Sequence, residues 1–307
     1  GVRATRVAGM GLKAGGMGLA VMLEIPLLVC NVQRGGPSTG LPTKTEQSDL
    51  LQSYYGRKGE CPMPVISAST PSDCFEAVYE SVRIAVQHMT PVIFLSDGYI
   101  ANGAEPWKYP ESDDLLPIEV NFKKELGHHE EVFQPYMRDE KMVRPWAIPG
   151  FAGLEHRVGG LEKQNITGNV SYDPDNHQLM VKLRQEKVDK IAEYIPEQKI
   201  DNGPEEGKLL VRGWGSTYGA IKSAVRDLLA EGYSVAHAHL RYIRPFPKNL
   251  GDIIKSYEKV LIPELNNGQL IKIIRDQYLV DAKGYNKIMG VPFSKLEIVD
   301  EIKKMLK

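Results

Sequence analysis

Short apolar runs of strand length alternate with helical segments through the first hundred residues, and this alternation most restricts the fold. Ile25 to Val32 is almost continuously apolar, which is typical of a strand buried on both faces. Val65 to Ala68 and Val92 to Leu95 are shorter runs of the same kind. Helices are predicted between them, from about Lys44 to Tyr55 and from Pro71 onward. The order strand–helix–strand–helix–strand predicts an α/β fold with a parallel sheet.

A second α/β unit is predicted after a long irregular stretch. Residues 121–206 are rich in Pro, Gly, Asn and charge, and only Gln178 to Tyr194 has a clear helical pattern. From Lys208 onward strands and helices alternate again, and the predicted strands are 209–211, 234–240 and 259–263. The sequence therefore predicts a first domain at 1–120, a connection at 121–206 and a second domain at 207–307.

Charge and cysteine usage exclude several classes of protein. The net charge of -1 gives no basic surface for nucleic acid or an anionic membrane. The longest apolar run, Ala20 to Val32, is interrupted by Glu24 and Pro26, so no membrane insertion is expected. The three cysteines are too widely spaced for a disulfide framework or for a zinc or iron–sulfur site. We therefore expect free thiols, a cytoplasmic location and no metal on this chain.

The loop between Asn31 and Asp49 carries the strongest functional signal. It leaves the carboxyl end of a buried strand, which is where ligands bind in open α/β sheets. Arg34 offers a planar fork of donors suited to a carboxylate. Thr43 and Glu46 have the spacing of a capping box that would start the next helix. The alternative without a functional role is that Arg34 is a surface charge and that Thr43 and Glu46 only cap a helix. The other loop residues predicted to lie against substrate or cofactor are Gly35, Gly36, Pro37, Ser38, Thr39 and Gly40.

The same residues resemble a known family. The run Q-R-G-G-P-S-T-G-L-P-T from Gln33 to Thr43 resembles the α subunits of 2-oxoacid:ferredoxin oxidoreductases, and is most similar to the 2-oxoglutarate enzymes. Further segments extend the resemblance over nearly the whole chain, and they are 46–50, 71–75, 94–97, 153–156, 168–173, 213–219 and 263–269.

The resemblance implies a fold, cofactors and partners. The first domain would be the pyrimidine-binding half of a thiamine-diphosphate fold, and the second a transketolase-C-terminal-like α/β domain. Thiamine diphosphate with Mg²⁺ would lie at the interface with a separate β subunit, which would also carry a 4Fe-4S cluster. The assembly would be a dimer of αβ units.

The implied reaction is the oxidative decarboxylation of 2-oxoglutarate to succinyl-CoA and CO₂. Coenzyme A would accept the acyl group and ferredoxin the electrons, with pyruvate and branched-chain 2-oxoacids open as other substrates. Arg34 and Thr43 match family residues near the substrate and are the predicted catalytic residues. The family's activating glutamate and its Tyr-Pro-Ile-Thr-Pro segment do not occur here, so we expect an N-terminal part to be missing. No function is assigned to residues 1–16.

Two other functions remain open at this point. Gly213, Gly215 and Gly219 follow a predicted strand and open a predicted helix, as in a dinucleotide site, and Arg241 would suit an NADP phosphate. A non-catalytic assembly subunit is the second alternative, and it would tolerate the loss of Arg34.

Several polar residues have more than one interpretation. His237 and His239 share one face of a strand and serve either packing or, with a third ligand, a metal. Asp97 ends a strand and either forms a turn or lines the site, whereas Glu264 suits a turn or a cap. No role is assigned to Glu155 or His156, and residues 128–131 are predicted to form a surface loop.

Overall fold

The computed structural model describes residues 2–127 and 131–307, so most of the predicted surface loop at 128–131 lies outside the described residues. The first part of the chain contains β1 (Val2–Arg6), α1 (Val7–Leu12), α2 (Ala14–Leu23), β2 (Leu27–Gln33), α3 (Leu50–Tyr55), β3 (Val65–Ser67), α4 (Asp73–Gln87), β4 (Pro91–Asp97) and α5 (Gly98–Asn102). The middle contains β5 (Phe122–Lys123), β6 (Trp146–Ala147) and α6 (Pro174–Lys190). The last part contains β7 (Gly207–Trp214), α7 (Tyr218–Ala230), β8 (Val235–Leu240), β9 (Tyr242–Arg244), α8 (Leu250–Lys255), β10 (Tyr257–Glu264), α9 (Gln269–Tyr278), β11 (Lys283–Asn286) and α10 (Lys295–Leu306).

The first sheet has the strand order β1-β2-β4-β3-β9. Its first four strands are parallel, which confirms the predicted α/β class. Every residue of β4 is buried, as its continuous apolar run predicts. The fifth strand, β9, comes from the last part of the chain and pairs antiparallel with β3, with Ile66 opposite Tyr242. The two halves of the chain therefore share one sheet.

The second sheet has the order β11-β10-β7-β8, and all of its pairs are parallel. Its strands β7, β8 and β10 confirm the three strands that the sequence predicts after Lys208. The largest apolar cluster lies between the two sheets and includes Val29 and Leu95 from the first with Trp214 and Ile262 from the second. Burial of this shared core is the main force that holds the two halves together.

The helix predicted from Lys44 begins later than expected. α3 starts at Leu50, and its predicted end at Gly56 is correct. Thr43 is not a helix cap, because its φ of 65° belongs to a turn and its side chain is exposed. The predicted capping box of Thr43 and Glu46 is therefore wrong. α4 likewise begins at Asp73, two residues beyond Pro71.

The stretch between the two sheets is mostly irregular, as predicted, and α6 is its one long helix among the described residues. The irregular stretch is attached to the carboxyl end of α2, where Glu24 forms ion pairs with Arg138 and, in α6, with Lys187. The predicted domain limits at 120 and 206 stay a prediction. Among the described residues, no helix combines the length and apolarity needed to cross a membrane.

Candidate functional site

The loop from Arg34 to Asp49 lies at the carboxyl edge of the first sheet. It leaves β2 next to β4, because Gln33 pairs in register with Asp97 at the ends of these strands. In open α/β sheets, ligands bind in the crevice outside this edge. The predicted position of the loop is thus confirmed.

Arg34 is half-buried at the start of the loop. Its carbonyl oxygen accepts a hydrogen bond of 2.9 Å from the Ser48 hydroxyl, which ties its backbone to the far end of the loop. Its buried Nε has no hydrogen-bond partner among the described residues. A buried guanidinium nitrogen without an acceptor is costly, so Arg34 is suited to receive an anionic group.

The loop folds back on itself between Gly35 and Lys44. The Gly35 N–H donates to the Lys44 carbonyl, and the Leu41 N–H donates to the Gly35 carbonyl, each at 3.0 Å. Gly40 has a φ of 48°, and a Cβ there would lie 2.0 Å from the Gly35 oxygen. Only glycine fits this position. The residues from Pro37 to Thr43 are consequently displayed as an exposed tip.

The tip offers hydroxyl groups and an open backbone. Ser38, Thr39 and Thr43 are exposed, and a Cβ at Gly36 would meet nothing within 4 Å. The structure thus brings all eight predicted site residues into one loop, with Gly35 the buried member. Their roles in binding remain predictions.

Glu46 does not lie in the first turn of a helix, as its capping-box spacing predicted, because α3 begins only at Leu50. Its side chain is buried under the loop, where burial raises the pKa of the carboxyl group and a hydrogen bond from the Gly36 N–H opposes that rise. Glu46 therefore supports the loop from within.

Asp97 is a helix cap rather than an open site residue. Its Oδ1 accepts hydrogen bonds from the Tyr99 N–H at 2.9 Å and from the Thr45 hydroxyl at 3.1 Å. Its Oδ2 accepts a longer bond of 3.4 Å from the Ser216 N–H in the second half of the chain. Burial raises its pKa, and these bonds oppose the rise. Asp97 thus joins the loop, α5 and the second sheet.

A buried polar network behind the loop was missed by the sequence reasoning. Asn31 donates to the Asp49 carboxylate at 2.9 Å, and the Gln33 side-chain oxygen accepts the Asp49 N–H at 3.0 Å. Gln47, fully buried, links the loop to the second sheet. The sequence signal for this network is the presence of two polar side chains, Asn31 and Gln33, in the otherwise apolar strand β2.

The Gly213–Gly219 turn does not form an open nucleotide cradle. Gly215, Ser216 and Thr217 are buried against the first half of the chain. Arg241, the candidate for an NADP phosphate, forms ion pairs with Asp73 and Glu76. The turn therefore serves contact between the halves, and the dinucleotide alternative has no structural support.

His237, which is fully buried, and His239, which is half-buried, form a pair beside this turn. His239 Nε2 lies 3.0 Å from the Gly215 oxygen and so carries the proton. His239 Nδ1 then accepts from His237 Nε2 at 3.3 Å. Burial lowers the pKa of His239 to about 3 and that of His237 well below its ordinary value, so both are neutral. Both rings pack near Tyr218, as the packing interpretation predicted.

Other unassigned polar residues have local structural roles. Glu264 is fully buried and accepts the Leu270 N–H at 2.7 Å and the Ile271 N–H at 3.1 Å, so it caps α9 as expected. His156 packs on the Phe133 ring, and Glu155 is exposed. Among residues 2–127 and 131–307, no group of three or more His, Cys, Asp or Glu is placed to hold a metal ion.

Comparison with known proteins agrees with this geometry. Residues 1–171 match the family model "Pyruvate flavodoxin/ferredoxin oxidoreductase, thiamine diP-bdg". Residues 208–296 match "Pyruvate:ferredoxin oxidoreductase core domain II". Both models fall on the parts of the chain that build the two sheets.

Named relatives include 2-oxoglutarate enzymes. The chain is 53% identical over 308 residues to the 2-oxoglutarate oxidoreductase subunit KorA of Mycobacterium tuberculosis, covering 100% of this chain and 46% of the relative. It is 29% identical to the 2-oxoglutarate synthase subunit KorA of Archaeoglobus fulgidus, covering 97% of this chain and 78% of the relative.

A solved structure shows the same fold over the whole chain. The 2-oxoglutarate:ferredoxin oxidoreductase from Magnetococcus marinus, solved with 2-oxoglutarate, coenzyme A and succinyl-CoA bound, superimposes with a TM-score of 0.91 at 31% identity. The match covers 100% of this chain and 53% of that chain. The chain thus spans about half the length of this neighbour and of the Mycobacterium relative.

Proposed function

Since this chain belongs to the pyruvate flavodoxin/ferredoxin oxidoreductase family, we propose that it is the α-subunit part of an enzyme that oxidatively decarboxylates 2-oxoglutarate. The products are succinyl-CoA and CO₂, and the electrons pass to ferredoxin. Support for the substrate comes from the names of the relatives and from the ligands of the Magnetococcus structure. The observation that carries the proposal is the half-buried Arg34 in a glycine-rich loop at the ligand-binding edge. Its Nε has no hydrogen-bond partner in the part of the chain that the structure describes.

Arg34 is proposed to bind a carboxylate of the 2-oxoacid. A guanidinium binds a carboxylate through two parallel, charge-assisted hydrogen bonds, which fix both the position and the orientation of the acid. Thr43, on the exposed tip, is proposed to donate a hydrogen bond from its hydroxyl group to the same substrate. Gly35, Gly36, Pro37, Ser38, Thr39 and Gly40 shape the surface on which the substrate and cofactor rest.

Thiamine diphosphate fits the open side of this loop, where the Gly36 backbone has free space and hydroxyl donors are exposed. When bound, the cofactor supplies the carbanion stabilisation that decarboxylation needs. The described residues offer no carboxylate cluster for Mg²⁺ and no cysteine cluster for iron. We therefore propose that the diphosphate, Mg²⁺ and a 4Fe-4S cluster are held by a β subunit.

The proposed assembly follows from this division of the site. The loop would contact the substrate and one side of the cofactor, so the proposed active site is complete only when a β subunit covers the carboxyl edge of the first sheet. We propose a dimer of such αβ units in the cytoplasm, with coenzyme A and ferredoxin as its other partners. We propose that the chain divides into a first domain at 1–120, a connection at 121–206 and a second domain at 207–307.

The test is anaerobic, coenzyme A-dependent reduction of a viologen dye by the native assembly, with a panel of 2-oxoacids. The highest kcat/KM is expected for 2-oxoglutarate, and a preference for pyruvate or a branched-chain acid would change the substrate and keep the reaction. Arg34→Ala is expected to raise the KM for the 2-oxoacid by about 10- to 100-fold, because a charge-assisted hydrogen bond is lost. Arg226→Ala, at an exposed arginine on α7, is the matched control. An unchanged KM in Arg34→Ala would contradict the proposed role.

A further inference from the structure

Gln47 has an unusual position for a residue in a substrate loop. It lies 13 residues beyond Arg34, between the exposed tip and α3, and its side chain is 0% exposed. The predicted helix would have placed it on a helical turn. Instead the backbone between Lys44 and Asp49 runs without helical structure, and Gln47 faces the second sheet.

Four hydrogen bonds attach Gln47 to the second half of the chain. Its Nε2 donates to the Trp214 carbonyl at 2.7 Å, and its Oε1 accepts the Leu265 N–H at 2.9 Å. Its own N–H donates to the Leu265 carbonyl at 2.9 Å, and its carbonyl accepts from Asn266 Nδ2 at 2.9 Å. Every donor and acceptor of the residue except the second amide hydrogen is thus used across the junction of the two halves.

The groups that Gln47 binds are themselves held by burial and by further hydrogen bonds. The Trp214 carbonyl also accepts the Thr217 hydroxyl at 2.8 Å, and the Trp214 indole donates to Glu264 at 3.3 Å. Trp214, Glu264 and Leu265 are almost completely buried at the carboxyl ends of β7 and β10. Gln47 therefore anchors the loop to buried, hydrogen-bonded groups at the carboxyl ends of β7 and β10.

The residues around Gln47 connect it to Arg34. On one side, Ser48 donates to the Arg34 carbonyl at 2.9 Å. On the other side, Glu46 accepts from the Gly36 N–H, and the Lys44 carbonyl accepts from the Gly35 N–H at 3.0 Å. The backbone that presents Arg34 is thus held by the chain segment of which Gln47 is the centre.

We propose that Gln47 is a positioning residue, which fixes the Arg34–Thr43 loop against the second sheet so that Arg34 lies where the 2-oxoacid carboxylate binds. The inference rests on the proposed function and deepens it. It makes substrate binding depend on the docking of the two halves of the chain, although Gln47 itself touches no substrate. A displacement of a binding group by about 1 Å is enough to lower catalytic efficiency by about 100-fold.

The test uses the native assembly with Gln47→Ala and, as a matched control, Gln198→Ala. Gln198, half-buried in the connection, also donates through its amide group to the second sheet, at 3.0 Å to the His239 carbonyl. Its hydrogen bonds within the described part of the chain involve no residue of the loop. We expect Gln47→Ala to raise the KM for the 2-oxoacid at least about tenfold with a much smaller change in kcat, because Arg34 is misplaced before and during the reaction alike. Gln198→Ala should leave both constants near those of the native protein. Equal effects of the two variants would overturn the proposal.

Gln47→Glu gives a second variant of nearly unchanged volume. A protonated glutamic acid can accept from Leu265 and donate to Trp214 as glutamine does, whereas the carboxylate places a second acceptor against the Trp214 carbonyl. Burial raises the pKa of such a carboxyl group. The KM of Gln47→Glu is therefore expected to fall toward the native value between about pH 8 and pH 6, relative to the native profile. A KM that does not recover at low pH would contradict the positioning role.

Hydrogen exchange separates this inference from the proposed function. The Gly35 and Leu41 amides, which close the loop, should exchange faster in Gln47→Ala than in the native assembly and in Gln198→Ala. Inactivity of the native assembly toward every 2-oxoacid would overturn the proposed function and leave this measurement to decide whether Gln47 holds the loop. Unchanged exchange in Gln47→Ala would overturn the positioning role whatever the activity.

Discussion

Gly40 shows how one backbone conformation determines the shape of the candidate site. The Leu41 N–H can reach the Gly35 carbonyl only because the chain turns sharply at Gly40 with a φ of 48°. A side chain there would collide with the backbone of Gly35 and Gly36. The exposed tip and the position of Arg34 both depend on this turn.

We predict that Gly40→Ala disrupts the loop and lowers the free energy of unfolding by more than Gly59→Ala does. Gly59 has a similar φ of 68° but free space around it, so alanine there costs only about 1 kcal/mol of backbone strain. At Gly40 the new Cβ would lie 2.0 Å from the Gly35 oxygen, so the backbone has to move as well. Urea unfolding of both variants measures the difference, and equal losses would show that the loop adapts freely.

Arg212 is a fully buried charge at the centre of the second sheet. None of its three guanidinium nitrogens has a hydrogen-bond partner among the described residues. Burial lowers its pKa to about 9, and Tyr278 and Asp201 oppose this only in part. An arginine whose pKa is lower in the folded state than the ordinary 12.5 reduces stability below about pH 9, and the cost disappears as the pH rises from about 9 to 12.5.

We therefore predict that Arg212→Met raises the free energy of unfolding at neutral pH by about 1–4 kcal/mol, since an apolar residue of similar length replaces an unpaired buried charge. Arg226→Met, on the exposed face of α7, is the control and should change stability by less than about 0.5 kcal/mol. Both values come from urea unfolding curves. A loss of stability in Arg212→Met would mean that the guanidinium has a partner in solution.

At the scale of elements, the carboxyl end of α2 organises the irregular middle of the chain. Glu24, at that end, is 3% exposed and forms ion pairs with Arg138 and Lys187. The Arg144 Nε donates to the Glu24 carbonyl at 3.2 Å, and Lys163 donates to the Met22 carbonyl at 3.5 Å. Cations at a helix carboxyl end satisfy its free carbonyl groups and favour its dipole. These contacts hold residues 138–187 on the first sheet.

We predict that Glu24→Gln lowers the free energy of unfolding by about 3–5 kcal/mol, because it leaves two buried cations without their counter-charge. Burial alone would raise the pKa of Glu24, but the charges of Lys187 and Arg138 and their hydrogen bonds lower it to about 2. Its contribution is therefore complete above the ordinary value of 4.5 and is lost as the pH falls from 4.5 to about 2.

The measurement is acid unfolding followed by circular dichroism. The native protein should lose stability in that pH range, whereas Glu24→Gln should already lack this part of the profile. Glu231→Gln removes a half-exposed partner of Lys303 and serves as the control, with an expected loss of less than about 1 kcal/mol. Equal losses in the two variants would show that the Glu24 pairs are no stronger than a surface pair.

The elements that could be predicted from the sequence are those whose burial leaves a local pattern. β2 and β4 were clear because strands covered on both faces are continuously apolar. α3 was predicted to start too early, because Thr43 and Glu46 have capping-box spacing while the four bonds of Gln47 hold that segment against another part of the chain. β9 was not predicted, because three residues before a proline carry no periodicity and its partner β3 is far away in sequence.

The candidate site likewise has features that could be predicted from the sequence and features that could not. The location of Arg34 and the glycines followed from a general rule about the carboxyl ends of parallel strands. The supports of the loop, Gln47 and Asp97, each have a partner in the second half of the chain, and no local pattern indicates such pairs. Contacts of high sequence separation become visible only when the fold is known.

At the scale of the whole molecule, the two halves share one sheet and one apolar cluster. β9 completes the first sheet, and the Ser67 N–H donates to the Arg241 carbonyl at 2.8 Å beside it. Trp214, fully buried, belongs to the apolar cluster between the sheets. Separation of the halves would expose this cluster and an unpaired edge of β3, and both changes are unfavourable.

We predict a single cooperative unfolding transition for the chain. With Trp107 and Trp146 replaced by Phe, the fluorescence of Trp214 reports only on the junction between the sheets, while far-ultraviolet circular dichroism reports on all helices and strands. The two signals are expected to change at the same urea concentration, as in two-state unfolding. If the fluorescence changed first, the halves would separate before they unfold, and the pairing of β9 with β3 would add little to stability. Coincident transitions would instead explain why the Arg34–Thr43 loop is anchored on the second sheet, because an anchor positions a loop only while its support remains folded.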